Sequence, residues 1–204
     1  MKTASIGGLL CVLLLTLPVN ASLIVRAGDH ELAPNTANQI IEILIEGQGS
    51  ENTLQGINLN IQIADGFTGP KITDVDVVGP GTVFASPNNN GQAGGKITDQ
   101  IWGGVGTISP TPLTVGAANS VLARVTIDTT GFFPGSNPWE LKLLGTLNGD
   151  STLLGTAGSE RFVDGSLSVV PEPASILTLI AGAGLFGPGA YRRLRRLRRE
   201  KHRA

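Results

Sequence analysis

Cysteine occurs once in this chain of 204 residues, histidine twice, and the aromatics amount to only 4%. The one cysteine, Cys11, sits in an apolar leader, so the chain beyond it has no thiol, no disulfide and no thiolate metal ligand. Whatever folds there is held by packing alone. The bulky Leu10 before Cys11 also argues against a lipid-attachment box. The only histidine before the C-terminal tail is His30, set between Asp29 and Glu31, and it reads as a solvated turn residue. There is no Gly-x-Ser-x-Gly elbow to supply a serine nucleophile and no phosphate loop ending in lysine. Gly103-Gly104-Val105-Gly106 lacks the strand-turn-helix setting of a dinucleotide fingerprint and reads as a glycine-lined turn or bulge. These absences exclude most catalytic classes. The expectation is a protein that is not an enzyme, with no cofactor and no metal site.

Charge is scarce overall but unevenly placed. Residues 23–169 carry fourteen acids and six bases, a net charge of −8, while eight bases cluster after residue 191. An acidic body repels phosphate backbones, so nucleic acid is not expected as a partner. The body's acidity favours solubility.

What the body does have is a period of two. Ile41, Ile43 and Ile45 alternate with Glu42, Leu44 and Glu46. Ile57, Leu59, Ile61 and Ile63 alternate with Asn58, Asn60 and Gln62, and Val121, Ala123, Val125 and Ile127 with Leu122, Arg124, Thr126 and Asp128. Successive strand side chains face opposite sides, so each stretch has one core face and one wet face. Weaker strands are predicted at 23–26, 72–78, 82–85, 96–102, 139–144 and 161–169. No stretch of the body shows a helical period. Ala64-Asp65-Gly66, Gly79-Pro80-Gly81, Asn148-Gly149-Asp150 and Asp164-Gly165 supply turn chemistry, and residues 88–95 read as a polar loop. With 28 glycines and 12 prolines as punctuation, the pattern predicts an all-β fold, an antiparallel two-sheet sandwich over residues 22–169.

Both flanks read as targeting segments. Lys2, the apolar run 6–17 and the small-residue site Val19-Asn20-Ala21 predict a helical signal peptide over 1–21, cleaved after Ala21. At the other end Val170-Pro171-Glu172-Pro173 forms a rigid break. Residues 174–191 then hold no charge, and as a helix they reach about 27 Å, enough for a bilayer's hydrocarbon core. Arg192, Arg193, Arg195, Arg196, Arg198 and Arg199 follow, with Lys201 and Arg203. Such a cluster stays on the cytoplasmic side, which leaves the sandwich outside. Leu194 and Leu197 lie three apart, which suits a basic helix on lipid headgroups and makes the lipid bilayer a partner.

The order of Val170-Pro171-Glu172-Pro173-Ala174, an uncharged span to Tyr191 and an arginine cluster resembles the PEP-CTERM sorting signal of bacterial exported proteins. The resemblance implies an exosortase partner, a membrane-embedded transpeptidase-like enzyme acting near Pro171–Pro173. Gly187-Pro188-Gly189 departs from a regular span. The body, through Gly56-Ile57-Asn58-Leu59-Asn60-Ile61, residues 72–78, residues 121–127 and Gly165-Ser166-Leu167-Ser168-Val169, is similar to cohesin-like or carbohydrate-binding-type sandwiches. That similarity implies architecture only. The resulting expectation is an exported envelope protein with a structural or adhesive sandwich in an extracellular polymer matrix.

Two rival readings have named residues. A surface carbohydrate-binding module, taking extracellular polysaccharide, would use Trp102 as a sugar-stacking face; Trp139, alternating with Leu141 and Leu143, reads as core, and burial is the plainer reading of Trp102 as well. A hydrolase would pair Asp74 and Asp76 with Glu140 or Glu160. Asp74 and Asp76 share one strand face, which could also hold calcium, but Val75 and Val77 mark the opposite face as core and leave the acids in water.

Overall fold

The computed structural model of the protein describes residues 22–49, 52–97, 101–135, 138–156 and 158–171. The predicted signal peptide at 1–21, Glu172 and Pro173, the predicted span at 174–191 and all the tail arginines lie outside the described residues. Among those described there is no helix, and so none long and apolar enough to cross a membrane.

The strands are β1 (Ser22–Arg26), β2 (Asp29–Leu32), β3 (Gln39–Gln48), β4 (Thr53–Ile63), β5 (Lys71–Asp76), β6 (Gln92–Ile97), β7 (Trp102–Thr114), β8 (Ser120–Asp128), β9 (Trp139–Lys142), β10 (Thr152–Leu154), β11 (Ser159–Val163) and β12 (Gly165–Val169). They form two sheets, one in the order β11-β1-β3-β8-β5 and the other β2-β12-β9-β4-β7-β6, with β10 also paired to β4. The alternating isoleucines do what their period requires. Ile41, Ile43 and Ile45 of the first sheet and Ile57, Leu59, Ile61 and Ile63 of the second are buried in one core with Phe84, Val125 and Leu141. Burying each such side chain contributes about 1.5–3 kcal/mol, which is how a chain without cross-links holds two sheets together.

One edge of the sandwich is stitched by the two ends of the domain. β1 pairs β11 in parallel, and β2 pairs β12 in parallel. Both chain segments leave the first sheet and enter the second side by side, at Ala27-Gly28 and at Asp164. Ala27 N donates to Val163 O at 2.9 Å and Ser166 N to Gly28 O at 3.0 Å, so the ladder continues across the crossing.

Several local expectations are corrected. The stretch 82–85 is not a strand; only Thr82 forms an isolated bridge, with Val121. The strand predicted at 96–102 is the end of β6 and the start of β7, and the polar loop predicted at 88–95 already contains the first residues of β6. Gly103-Gly104-Val105-Gly106 lies inside β7, paired with Asn58 to Ile61 of β4. His30 is in β2 rather than in a turn, with Nε2 2.8 Å from Ala27 O. Leu122 is buried and Val121 only half-buried, because the register between β3 and β8 slips at Ile43/Leu44 and makes Leu122 the extra residue of a bulge.

Candidate functional site

The candidate site is the end of the sandwich where the chain leaves it. β12 lies between β2 and β9, so the last strand of the domain is interior to its sheet. Val169 is buried, and Val170 N still donates to Leu32 O at 3.0 Å. The next residue, Pro171, is exposed and has no N–H to give. In sequence, Pro171-Glu172-Pro173 therefore follows directly on the last backbone hydrogen bond among the described residues.

The strand directions decide what shares that end. β2 and β12 run toward it; β9 runs antiparallel to β12, so Trp139 begins there, and β4 arrives with Ile63 opposite Leu141. Ile63 N donates to Ile101 O at 2.9 Å and Ala64 N to Glu140 O at 2.8 Å, which brings the 64–70 turn and the start of β7 to the same end. The 33–38 connection after Leu32 is tied to the loop after β8: Asn35 N donates to Phe132 O at 2.9 Å, Gly131 N to Asn35 Oδ1 at 3.0 Å, and Thr129 Oγ1 to Ala33 O at 2.8 Å.

Two carboxylates shape these turns. Backbone N–H groups of Phe67 and Thr68 donate to Asp65 Oδ1 at 2.9 and 3.0 Å and hold its carboxyl below the ordinary value of 3.8. The hydroxyl and backbone N–H of Thr130 do the same for Asp128. Hydrogen bonds to the charged form are the cause in both cases.

The two tryptophans do not make one platform. Trp139 shares the inward face of β9 with Leu141, packs against the core and meets Phe132 edge-on at 5.5 Å between ring centroids. Trp102 is half-buried opposite Gln62, on the outer face of the same sheet. A groove of about 410 Å³ at the far end, lined by Thr82, Val83, Asn88, Leu113, Thr114 and Ser120 among others, has no aromatic wall.

The carboxylates named for hydrolysis do not converge. Asp74 and Asp76 lie on β5 and Glu160 on β11, the two opposite edges of the first sheet, four strand spacings or about 19 Å apart. Glu140 is in the other sheet, 3.4 Å from Lys142 Nζ. Asp76 Oδ1 accepts from Val78 N and Gly79 N at 3.0 and 2.8 Å, which is turn chemistry. Among the described residues no group of three or more His, Cys, Asp or Glu side chains could hold a metal ion.

One polar constellation was not visible in the sequence. Asn60 and Gln62, on the nominally wet face of β4, are 2% and 3% exposed because the 143–151 connection folds over them. Asn148 Nδ2 donates to Asn60 Oδ1 at 2.6 Å, Asn60 Nδ2 to Asp150 O at 3.1 Å, and Leu147 N to Gln62 Oε1 at 2.6 Å. Both side-chain oxygens accept from the covering loop, while Gln62 Nε2 donates to Ala64 O at 2.9 Å, which makes this a structural clamp. The one local hint is Asn148-Gly149-Asp150-Ser151, a polar run with as many donors and acceptors as a buried amide face needs.

Comparison with known proteins bears on this end of the molecule. The PEP-CTERM protein-sorting motif matches residues 169–196, which begin on the last residue of β12. No curated protein sequence matches the chain. Among solved structures the chain is similar to the third ScaB cohesin of R. flavefaciens, solved in complex with a group 1 dockerin, at 12% identity over 74% of this chain and 96% of that one, with a TM-score of 0.46. It is similar to a type III cohesin module from the cellulosomal ScaE cell-surface anchoring scaffoldin of Ruminococcus flavefaciens, at 16% identity, 75% and 89% coverage and a TM-score of 0.41. CaCohA2 from Clostridium acetobutylicum matches at 14% identity, 74% and 92% coverage and a TM-score of 0.46. The sorting motif makes this an exported, envelope-associated protein handled by an exosortase.

Proposed function

We propose that the chain is a non-catalytic surface protein whose sandwich is a structural or adhesive module, delivered by its C-terminal signal. The signal peptide at 1–21 takes it out of the cytosol. The span at 174–191 holds it in the bilayer as a single pass, with Arg192, Arg193, Arg195, Arg196, Arg198 and Arg199 left inside. Exosortase then cuts near Pro171–Pro173, and the sandwich is released or attached in an extracellular polymer matrix.

The observation that carries this reading is the hydrogen bond from Val170 N to Leu32 O, with Pro171 exposed beside it. Every strand of the sandwich lies before residue 171, and Pro171-Glu172-Pro173 follows directly in sequence. A cut there frees an intact domain. The placement of Asp74 and Asp76 on β5, Glu160 on β11 and Glu140 on β9 counts against the hydrolase reading that those four residues carried. Expression in hosts with and without an exosortase, followed by intact-mass measurement, tests it. The expected result is loss of the arginine tail only where the enzyme is present. A tail retained in both hosts, or residues 192–203 reached by protease from outside before processing, defeats the reading.

A further inference from the structure

The end of the sandwich that carries Val170 also carries its most exposed large apolar side chains. Phe67, in the 64–70 turn, is 73% exposed, and Phe133, in the loop after β8, is 63% exposed. Ile40, one residue into β3 and on its outer face, starts from the same end and is 63% exposed. The registers that bring these loops together are those that bring Leu32 and Val170 there. The two phenylalanines come from separate connections, after β4 and after β8. Both connections are held by a carboxylate: Asp65 accepts from the backbone N–H of Phe67, and Asp128 from that of Thr130, three residues before Phe133. An aromatic held outward on a stiff turn is expensive in water and well suited to the boundary between headgroups and acyl chains.

The chain geometry says what lies opposite. Only Pro171, Glu172 and Pro173 separate Val170 from the apolar stretch beginning at Ala174. Four residue steps reach at most about 14 Å even when fully extended, so Ala174 cannot lie farther than that from Val170. A headgroup layer is about 5–8 Å deep, so a sandwich end on this tether is held within about 10 Å of it. We propose that, before processing, this end rests on the outer leaflet, with Phe67 and Phe133 inserted in the lipid interface. The contact is apolar rather than electrostatic: Asp65 and Asp128 are the acids in these turns, so anionic lipid is not what holds it. Docking would orient the Pro171–Pro173 segment at a fixed height above the bilayer, where a membrane-embedded processing enzyme works. The inference rests on the reading of 174–191 as a span, and its test separates the two.

The absence of any cysteine after Cys11 makes the experiment clean. The full chain, made in a host without exosortase and placed in phosphatidylcholine vesicles, carries a pyrene at either Ala37→Cys, exposed in the 33–38 connection at the same end, or Asn119→Cys, exposed at the far end. Headgroup-nitroxide lipid should quench the pyrene at 37 at least threefold more than that at 119. Phe67→Ser with Phe133→Ser should reduce quenching at 37 at least twofold while the protein still floats with the vesicles, and added salt should change neither result. Flotation with equal quenching at both positions overturns the docking and leaves the span standing. Excimer emission from position 37 without lipid quenching also overturns it, by placing a second copy on this face. A chain that does not float removes the span, and the docking with it.

Discussion

Gly165 is packed so closely on Gly28 that a Cβ at position 165 would overlap the Gly28 carbonyl oxygen and stand 2.6 Å from its carbon. The contact is backbone on backbone, at the point where both end segments cross between sheets, so no side chain can yield. Gly165→Ala should therefore destabilise the domain by about 1–3 kcal/mol or more. Gly116→Ala, with nothing within 4 Å of its added Cβ, should stay within about 0.5 kcal/mol of wild type. Urea midpoints of the two variants check this, and equal midpoints would mean that the seam is not what closes the sandwich.

Acid should loosen the turn that carries Phe67. Asp65 has a folded-state pKa below 3.8, so its contribution is fully present above that value and is lost as pH falls through the lower folded value. Asp65→Asn should lower the urea midpoint at about pH 6, and the gap to wild type should shrink as pH falls below 3.8. A gap that widens on acidification would reverse the sign and refute the assignment.

How much of this was legible depended on whether the determining contacts were local. The core faces of β3, β4 and β8 could be read because their apolar residues recur at every second position of one chain segment. The sorting signal could be read because its break, apolar run and arginines are contiguous. Gly103 to Gly106 hid a strand because glycine carries little β preference, and its reason lies elsewhere: a Cβ on Gly104 would meet Asn60 Oδ1 at 2.7 Å and Asn148 Nδ2 at 2.9 Å. Asn60 and Gln62 looked wet because the loop that buries them comes some 90 residues later. The terminal seam left no local trace, since Ser166 meets Asp29 across 137 residues. The loop-end position of Phe67 and Phe133 was likewise a matter of topology.

The amide clamp under the 143–151 connection should behave as a unit. Asn60→Ala strips partners from Asn148 Nδ2 and the Asp150 carbonyl, and should cost about 1–3 kcal/mol. Asn60→Asp should cost more at neutral pH, because it sets a carboxylate against the Asp150 carbonyl in a site 2% exposed. Amide exchange at Leu147 and Ser151 should accelerate in both variants before exchange in β8 does. Unchanged exchange in that loop would show that it stays closed without Asn60.

Where the chain can be cut is set by β12. A protein ending at Pro171 keeps the Val170–Leu32 hydrogen bond and every buried residue among those described, so its urea midpoint should match that of any longer soluble form. Ending at Val169 gives up that one bond, about 1 kcal/mol. Ending at Asp164 removes an interior strand. Leu167 and Val169 leave the core, at about 1.5–3 kcal/mol each, and both β2 and β9 lose their ladders along it. That approaches the whole stability of a domain, about 5–15 kcal/mol, so this form should be unfolded by circular dichroism and rapidly degraded. The threshold should fall between 164 and 169. If the form ending at Asp164 folds, β12 is dispensable, and the abrupt junction between sandwich and sorting motif loses its physical meaning.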